Sequence, residues 1–174
     1  MGFFTKISDL LSSTQRPIKG TPVQVISFLR EKLLGLNRDS GPYCISSGEA
    51  EKVDLIAEWK VDKPDWRKMF EVPDVQKVFR IFLKFDESHH EVRAVDREYA
   101  LSWSIDGASL SVAAEAFRGQ KTEISFGGPA LYTETLPDGR ALEYRFTSKE
   151  LKKPLQDVVT ACGWTFKGVA FQKL

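Results

Sequence analysis

Two Asp-Gly pairs, each set between stretches that alternate apolar and polar residues, constrain the fold more than any other feature of this chain. Asp106-Gly107 separates Tyr99–Ile105 from Ala108–Val112, and Pro137-Asp138-Gly139 separates Leu131–Leu136 from Arg140–Phe146. Asp-Gly supplies the positive φ angles of tight hairpin turns, and the flanks repeat with the strand period of two. The middle of the chain is therefore expected to be antiparallel sheet.

Strand signals continue on both sides of these turns. Val53, Leu55, Ala57, Trp59 and Val61 alternate with polar residues, which predicts a strand with one wet side, and Tyr43–Ser46 is its expected partner across Ser47-Gly48. The stretch 75–86 fits a helix or a strand. Its aromatic and β-branched residues, followed by a polar Asp86–His90 loop, favour a strand paired with Glu91–Arg97. A further strand towards Phe117, a break at Arg118-Gly119-Gln120 and a resumption at Thr122–Phe126 complete one long predicted meander.

Helices are expected near both ends. Thr21 is a plausible N-cap with Pro22 in the first turn. Val23, Ile26, Leu29, Leu33 and Leu36 come next at helical spacing, Val25 and Phe28 widen the stripe, and Asn37 is a left-handed stop. Thr147 and Glu150 read as a capping box, and Pro154 should split the downstream segment into a single turn and a second helix, Pro154–Cys162. Trp164–Phe171 reads as a closing strand that pairs inside the sheet. The expected class is α+β, predominantly antiparallel, as a curved sheet, sandwich or partly open barrel. Residues 1–20 form an N-terminal segment and linker, and 21–174 a single domain.

Composition bears on location and partners. A chain of 174 residues with formal net charge +1 has no global field to attract nucleic acid or a membrane. No apolar run approaches the ~20 residues of a spanning helix. The two cysteines, Cys44 and Cys162, suit reduced thiols better than a disulfide framework, and a cytoplasmic location is expected. Phe3, Phe4, Ile7, Leu10 and Leu11 suit a short amphipathic helix, read as docked on the domain in preference to a peripheral membrane anchor.

The tail Pro154–Phe171 resembles the end of a group of uncharacterised bacterial proteins, a similarity that extends to Phe79–Glu98. The resemblance implies a bacterial, cytoplasmic protein and carries no catalytic residue.

Catalytic signatures are missing. The sequence has no phosphate-cradling glycine motif and no nucleophile elbow, and its only histidines, His89 and His90, point to opposite faces of any strand they share. No metal or cofactor is expected. Glu115, Arg118 and Glu123 surround an irregular joint and could form an acid/base pair beside an anion-binding cation, although cross-strand charge pairs are the commoner use. Trp66, Arg67 and Lys68 mix an aromatic ring with cations, as lipid- or base-binding surfaces do. The preferred reading there is a core plug with solvated charges. Trp59, Trp103 and Trp164 stand on apolar parity and read as core anchors. The expected function is a non-catalytic binding or assembly module for a protein partner, a homo-oligomer or a small apolar ligand, with nucleic acid disfavoured. The alternative is a small enzyme whose carboxylates and arginines converge only in three dimensions.

Overall fold

The structure, a computed structural model, describes residues 13–60, 77–103, 110–119, 132–144, 147–169 and 174; at 77–79, 100–103, 110–119 and 132 the description is of the backbone. Helix α1 (Ile26–Leu34) precedes strands β1 (Tyr43–Ser47), β2 (Leu55–Trp59), β3 (Lys77–Asp86), β4 (Glu91–Trp103), β5 (Leu110–Gly119), β6 (Tyr132–Thr135) and β7 (Ala141–Tyr144); helix α2 (Ser148–Ala161) and strand β8 (Thr165–Gly168) complete the order. β1 to β5 form an antiparallel meander within a six-stranded sheet. The class is α+β with a mostly antiparallel sheet, and the described strands do not close into a barrel.

The stretch 77–86 is strand. β3 pairs along its whole length with β4, from Lys77 opposite Ala100 to Asp86 opposite Glu91. β4 is long enough, about 40 Å at strand rise, to take two partners on its other edge. Asp96–Trp103 pairs with β5 and Glu91–Ala94 with β8, the latter in parallel. The closing strand does pair inside the sheet, as expected, but it makes the sheet mixed.

The second Asp-Gly hairpin forms, with Gly139 at φ 83° and Leu136 N–H bonded to the Arg140 carbonyl at 2.8 Å. It is not part of the meander: β6 and β7 make a separate two-stranded sheet. The strands flanking the first hairpin pair as β4 and β5, while Asp106-Gly107 itself lies outside the described residues. So do the predicted strand Thr122–Phe126 and the N-terminal stripe Phe3–Leu11.

Both helices lie on one sheet face. Leu29 and Leu33 of α1 and Leu151, Leu155 and Val159 of α2 are fully buried against Leu55, Ala57, Ile81, Leu83, Val92, Ala94 and Phe166. Trp59 and Trp164 are buried in the same core, which supports their reading as anchors. The side chain of Trp103 lies outside the described ones.

The capping box is present: Glu150 N–H donates to Thr147 Oγ1 at 3.2 Å, and Thr147 N–H to Glu150 Oε2 at 3.4 Å. Pro154 does not divide the helix, contrary to expectation; Ser148–Ala161 is continuous. A mid-helix proline costs about 3 kcal/mol. Burying Leu151, Leu155 and Val159 on both sides of it is worth about 1.5–3 kcal/mol each, so packing outweighs the lost hydrogen bond.

Helix α1 is shorter than the periodicity suggests. It starts at Ile26 behind Val25, and Thr21 is not its cap; Thr21 Oγ1 donates to the Ile18 carbonyl in a turn. Residues ahead of the helix are held by α2 instead. Gln24 N–H donates to the Cys162 carbonyl at 2.9 Å, and Trp164 Nε1 donates to the Gln24 carbonyl at 2.8 Å. Asn37 is not a left-handed stop either. The helix ends in a right-handed Gly35, and the Asn37 amide pairs with both backbone groups of Ile45, covering the open edge of β1. Gln15 likewise exchanges two backbone hydrogen bonds with Phe166, so the predicted linker serves as a partner for β8.

Gly163 marks the tightest of these junctions. Its φ is 77°, and a Cβ there would sit 2.4 Å from the Pro22 carbonyl oxygen. Gly163→Ala is expected to destabilise the protein by about 1–3 kcal/mol. An unchanged urea midpoint would contradict that close approach.

Candidate functional site

A sheet strand shows alternate residues to opposite faces, and the face away from the helices carries most of the described charge. There the register aligns Glu58 of β2 with Arg80 of β3, Arg80 with Arg97 of β4, and Arg97 with Arg118 of β5. Arg80 Nε donates to Glu58 Oε2, and its guanidinium lies 5.2 Å from the centroid of the Tyr99 ring. The Arg97 guanidinium lies 4.1 Å over Phe82, with Glu51 3.9 Å away. Below this row, Ile56, Phe82 and Val95 form an apolar row, also in register and buried.

A second cationic row lies on the same face. Lys84 faces Arg93, and Arg93 faces Lys167 of β8. Here carboxylates match cations one for one: Asp54 lies 3.6 Å from Lys84, Asp86 2.8 Å from Arg93 and Glu91 3.0 Å from Lys167. Those pairs form a mutually neutral lattice.

Of the sequence candidates, Arg118 and Glu115 lie on β5, opposite Arg97 and Tyr99 respectively. A register shift beside Glu98 and Tyr99 interrupts the regular pairing between these two positions. Glu123 and the group Trp66, Arg67 and Lys68 lie outside the described residues.

Sequence reasoning missed a different cluster. Glu134 of β6 is buried, and its two carboxylate oxygens accept four hydrogen bonds. Arg38 Nε and Ser40 Oγ donate to Oε1, and Arg38 Nη2 and Tyr144 Oη to Oε2, at 2.8 to 2.9 Å. The Arg38 hydrogen bonds chiefly hold the Glu134 carboxyl down at about 2, while burial above all pushes the Tyr144 hydroxyl up. A carboxylate with both oxygens engaged and so low an affinity for protons is a poor general base. The cluster acts as a clamp holding the β6–β7 ribbon to the loop after α1. No local motif could have revealed it, because Arg38 and Glu134 are joined only by the fold.

The two cysteines and two histidines are equally quiet. Cys44 and Cys162 are thiols, and burial pushes the Cys162 group up, which keeps it protonated. His89 hydrogen-bonds Asp86 and His90 lies edge-on to Trp164, so the two rings diverge. Among the described residues no three metal-ligating side chains converge.

The last feature is apolar. Ile18, Val23, Val25 and Phe28 are 84%, 49%, 67% and 37% exposed, and among the described residues they are the exposed large hydrophobics. All four fall in one short segment, tethered by Gln24 to the end of α2. Among the described residues no helix is long and apolar enough to cross a membrane. Comparison of the chain with protein-family models, curated proteins and solved structures finds no match.

Proposed function

We propose that this protein is a non-catalytic binding module that recognises a partner protein through the apolar strip Ile18–Phe28. The observation behind this reading is the clustering of four exposed large side chains in one segment. Scattered surface hydrophobics are ordinary, whereas a contiguous group marks an interaction surface. The segment is also held in place from both sides, by the Gln15–Phe166 bridge and by the Gln24 hydrogen bonds to Cys162 and Trp164. A surface ordered before binding loses less entropy when a partner docks. The saturated Glu134 and the protonated Cys162 argue against the enzyme alternative.

A photoreactive residue substituted for Val25 in the intact chain tests this reading. In cells of its source it should give one discrete covalent adduct, and the same probe at exposed Lys149 should give none. Ile18→Asp, at the most exposed of the four side chains, should reduce the adduct by about tenfold or more while moving stability by no more than about 0.5 kcal/mol. Adduct mass separates a second copy of the chain from a different protein. Equal, diffuse labelling at both probe positions would sink the proposal.

A further inference from the structure

We infer that the partner of the Ile18–Phe28 strip is an acidic protein segment, apolar at its centre, whose carboxylates meet Lys19 and Lys32. The inference rests on the binding-module reading and names the chemistry of the partner. Residues 13–30 contain no aspartate or glutamate, in a chain that carries 24 of them. Residues 13–32 hold four cations, Arg16, Lys19, Arg30 and Lys32, against the single carboxylate of Glu31, whereas the whole chain has a formal net charge of only +1. The segment that exposes the apolar side chains is therefore also cationic. Its lysines stand at the two ends of the strip. Lys19 adjoins Ile18, and the Lys32 ammonium lies 5.0 Å from the centroid of the Phe28 ring.

Both lysines are exposed, and neither forms an ion pair among the described residues. Elsewhere Lys84, Lys153 and Lys167 pair with Asp54, Asp157 and Glu91. Charge complementarity across an interface selects the partner, and here the complement of the strip is negative. The contact of Lys32 with Phe28 holds its charge at the rim of the apolar surface, so whatever buries that ring meets the ammonium. Two other occupants fit less well. Anionic lipid surfaces are recognised by clusters of about 4–8 basic residues, and the exposed cations of this segment are Arg16, Lys19 and Lys32. A second copy would bring its own lysines against these, because a two-fold interface pairs one patch with itself. Like charges so placed repel.

The full chain with the photoreactive residue in place of Val25 carries the test, now with the lysines changed. Lys19→Glu with Lys32→Glu should cut the discrete adduct by about tenfold or more, and Lys19→Gln with Lys32→Gln by about threefold. Lys52→Glu with Lys149→Glu makes the same change of net charge at exposed sites elsewhere and should stay within about twofold. Mass-spectrometric mapping should place the cross-link in a partner segment with more carboxylates than cations within about ten residues. If the Glu pair does not fold, the Gln pair against the Lys52 and Lys149 control still decides. An adduct that survives reversal of both lysines, a cross-link into a neutral or basic segment, or an adduct to a second copy would overturn the inference and leave the binding module standing. Labelling of lipid alone, or no discrete adduct, would remove both.

Discussion

Replacing Lys152 with methionine is expected to destabilise the protein by about 3–5 kcal/mol, the usual cost of removing one partner from a buried ion pair. Lys152 Nζ reaches down from α2 to donate to Asp96 Oδ2 at 2.7 Å, and both side chains are buried. Asp96 shares the helix-facing side of β4 with Glu98, also buried. Without the ammonium this apolar interface holds carboxylate charge that water cannot solvate. The double variant Lys152→Met/Asp96→Leu should recover most of the loss, because removing both charges removes the desolvation cost as well. Urea unfolding of wild type, single and double variants measures this. A double variant as unstable as the single one would show that the damage comes from packing rather than from charge.

Arg38→Ala should cost about 2–3 kcal/mol, somewhat less because Arg38 is partly exposed and solvent takes over part of its role. The loss should be local as well as global. The clamp joins the β6–β7 ribbon to the loop after α1, so amide exchange in β6 should accelerate more than in β3. Acid dependence gives an independent check. The Glu134 carboxyl is lowered from 4.5 to about 2 in the folded protein. A depressed carboxylate contributes stability that is fully present above its unfolded value and lost as pH falls through its folded value. Wild type should therefore lose about 3 kcal/mol between roughly pH 4.5 and pH 2 on account of this group. Glu134→Gln, which cannot titrate, should lack that part of the acid limb. Parallel stability curves for the two proteins would refute the clamp's electrostatic role.

Much of the charged sheet face is legible in the sequence, but only in pieces. Arg118 falls beside Gly119 at a predicted irregular joint, and Arg80 and Arg97 fall on predicted strands. Their alignment is not legible. It depends on which residue of β3 faces which residue of β4, and on the register shift between β4 and β5. A shift of one residue in either pairing would send one arginine to the opposite face. The apolar strip departs from expectation for a related reason. Val23, Val25 and Phe28 fit a helical stripe, but Gln24 is held by the end of α2, Val25 is extended, and the helix begins only at Ile26.

The sequence by itself determined whatever depends on neighbouring residues. The Pro137-Asp138-Gly139 hairpin, the Thr147–Glu150 capping box and the strand identity of 77–86 arise from turn geometry, capping chemistry and aromatic and β-branched content, which act over a few positions. Tertiary structure alone decided the rest. β8 lies parallel to β4 while β6–β7 stands apart, and α2 runs through Pro154 because burial of its leucines exceeds the proline's cost. Glu134 meets Arg38, and Lys152 meets Asp96. These contacts join residues distant in the chain, and their energies arise from burial and register, which no local pattern encodes. The Asp-Gly turns told where the chain reverses; only packing told which strands it would join.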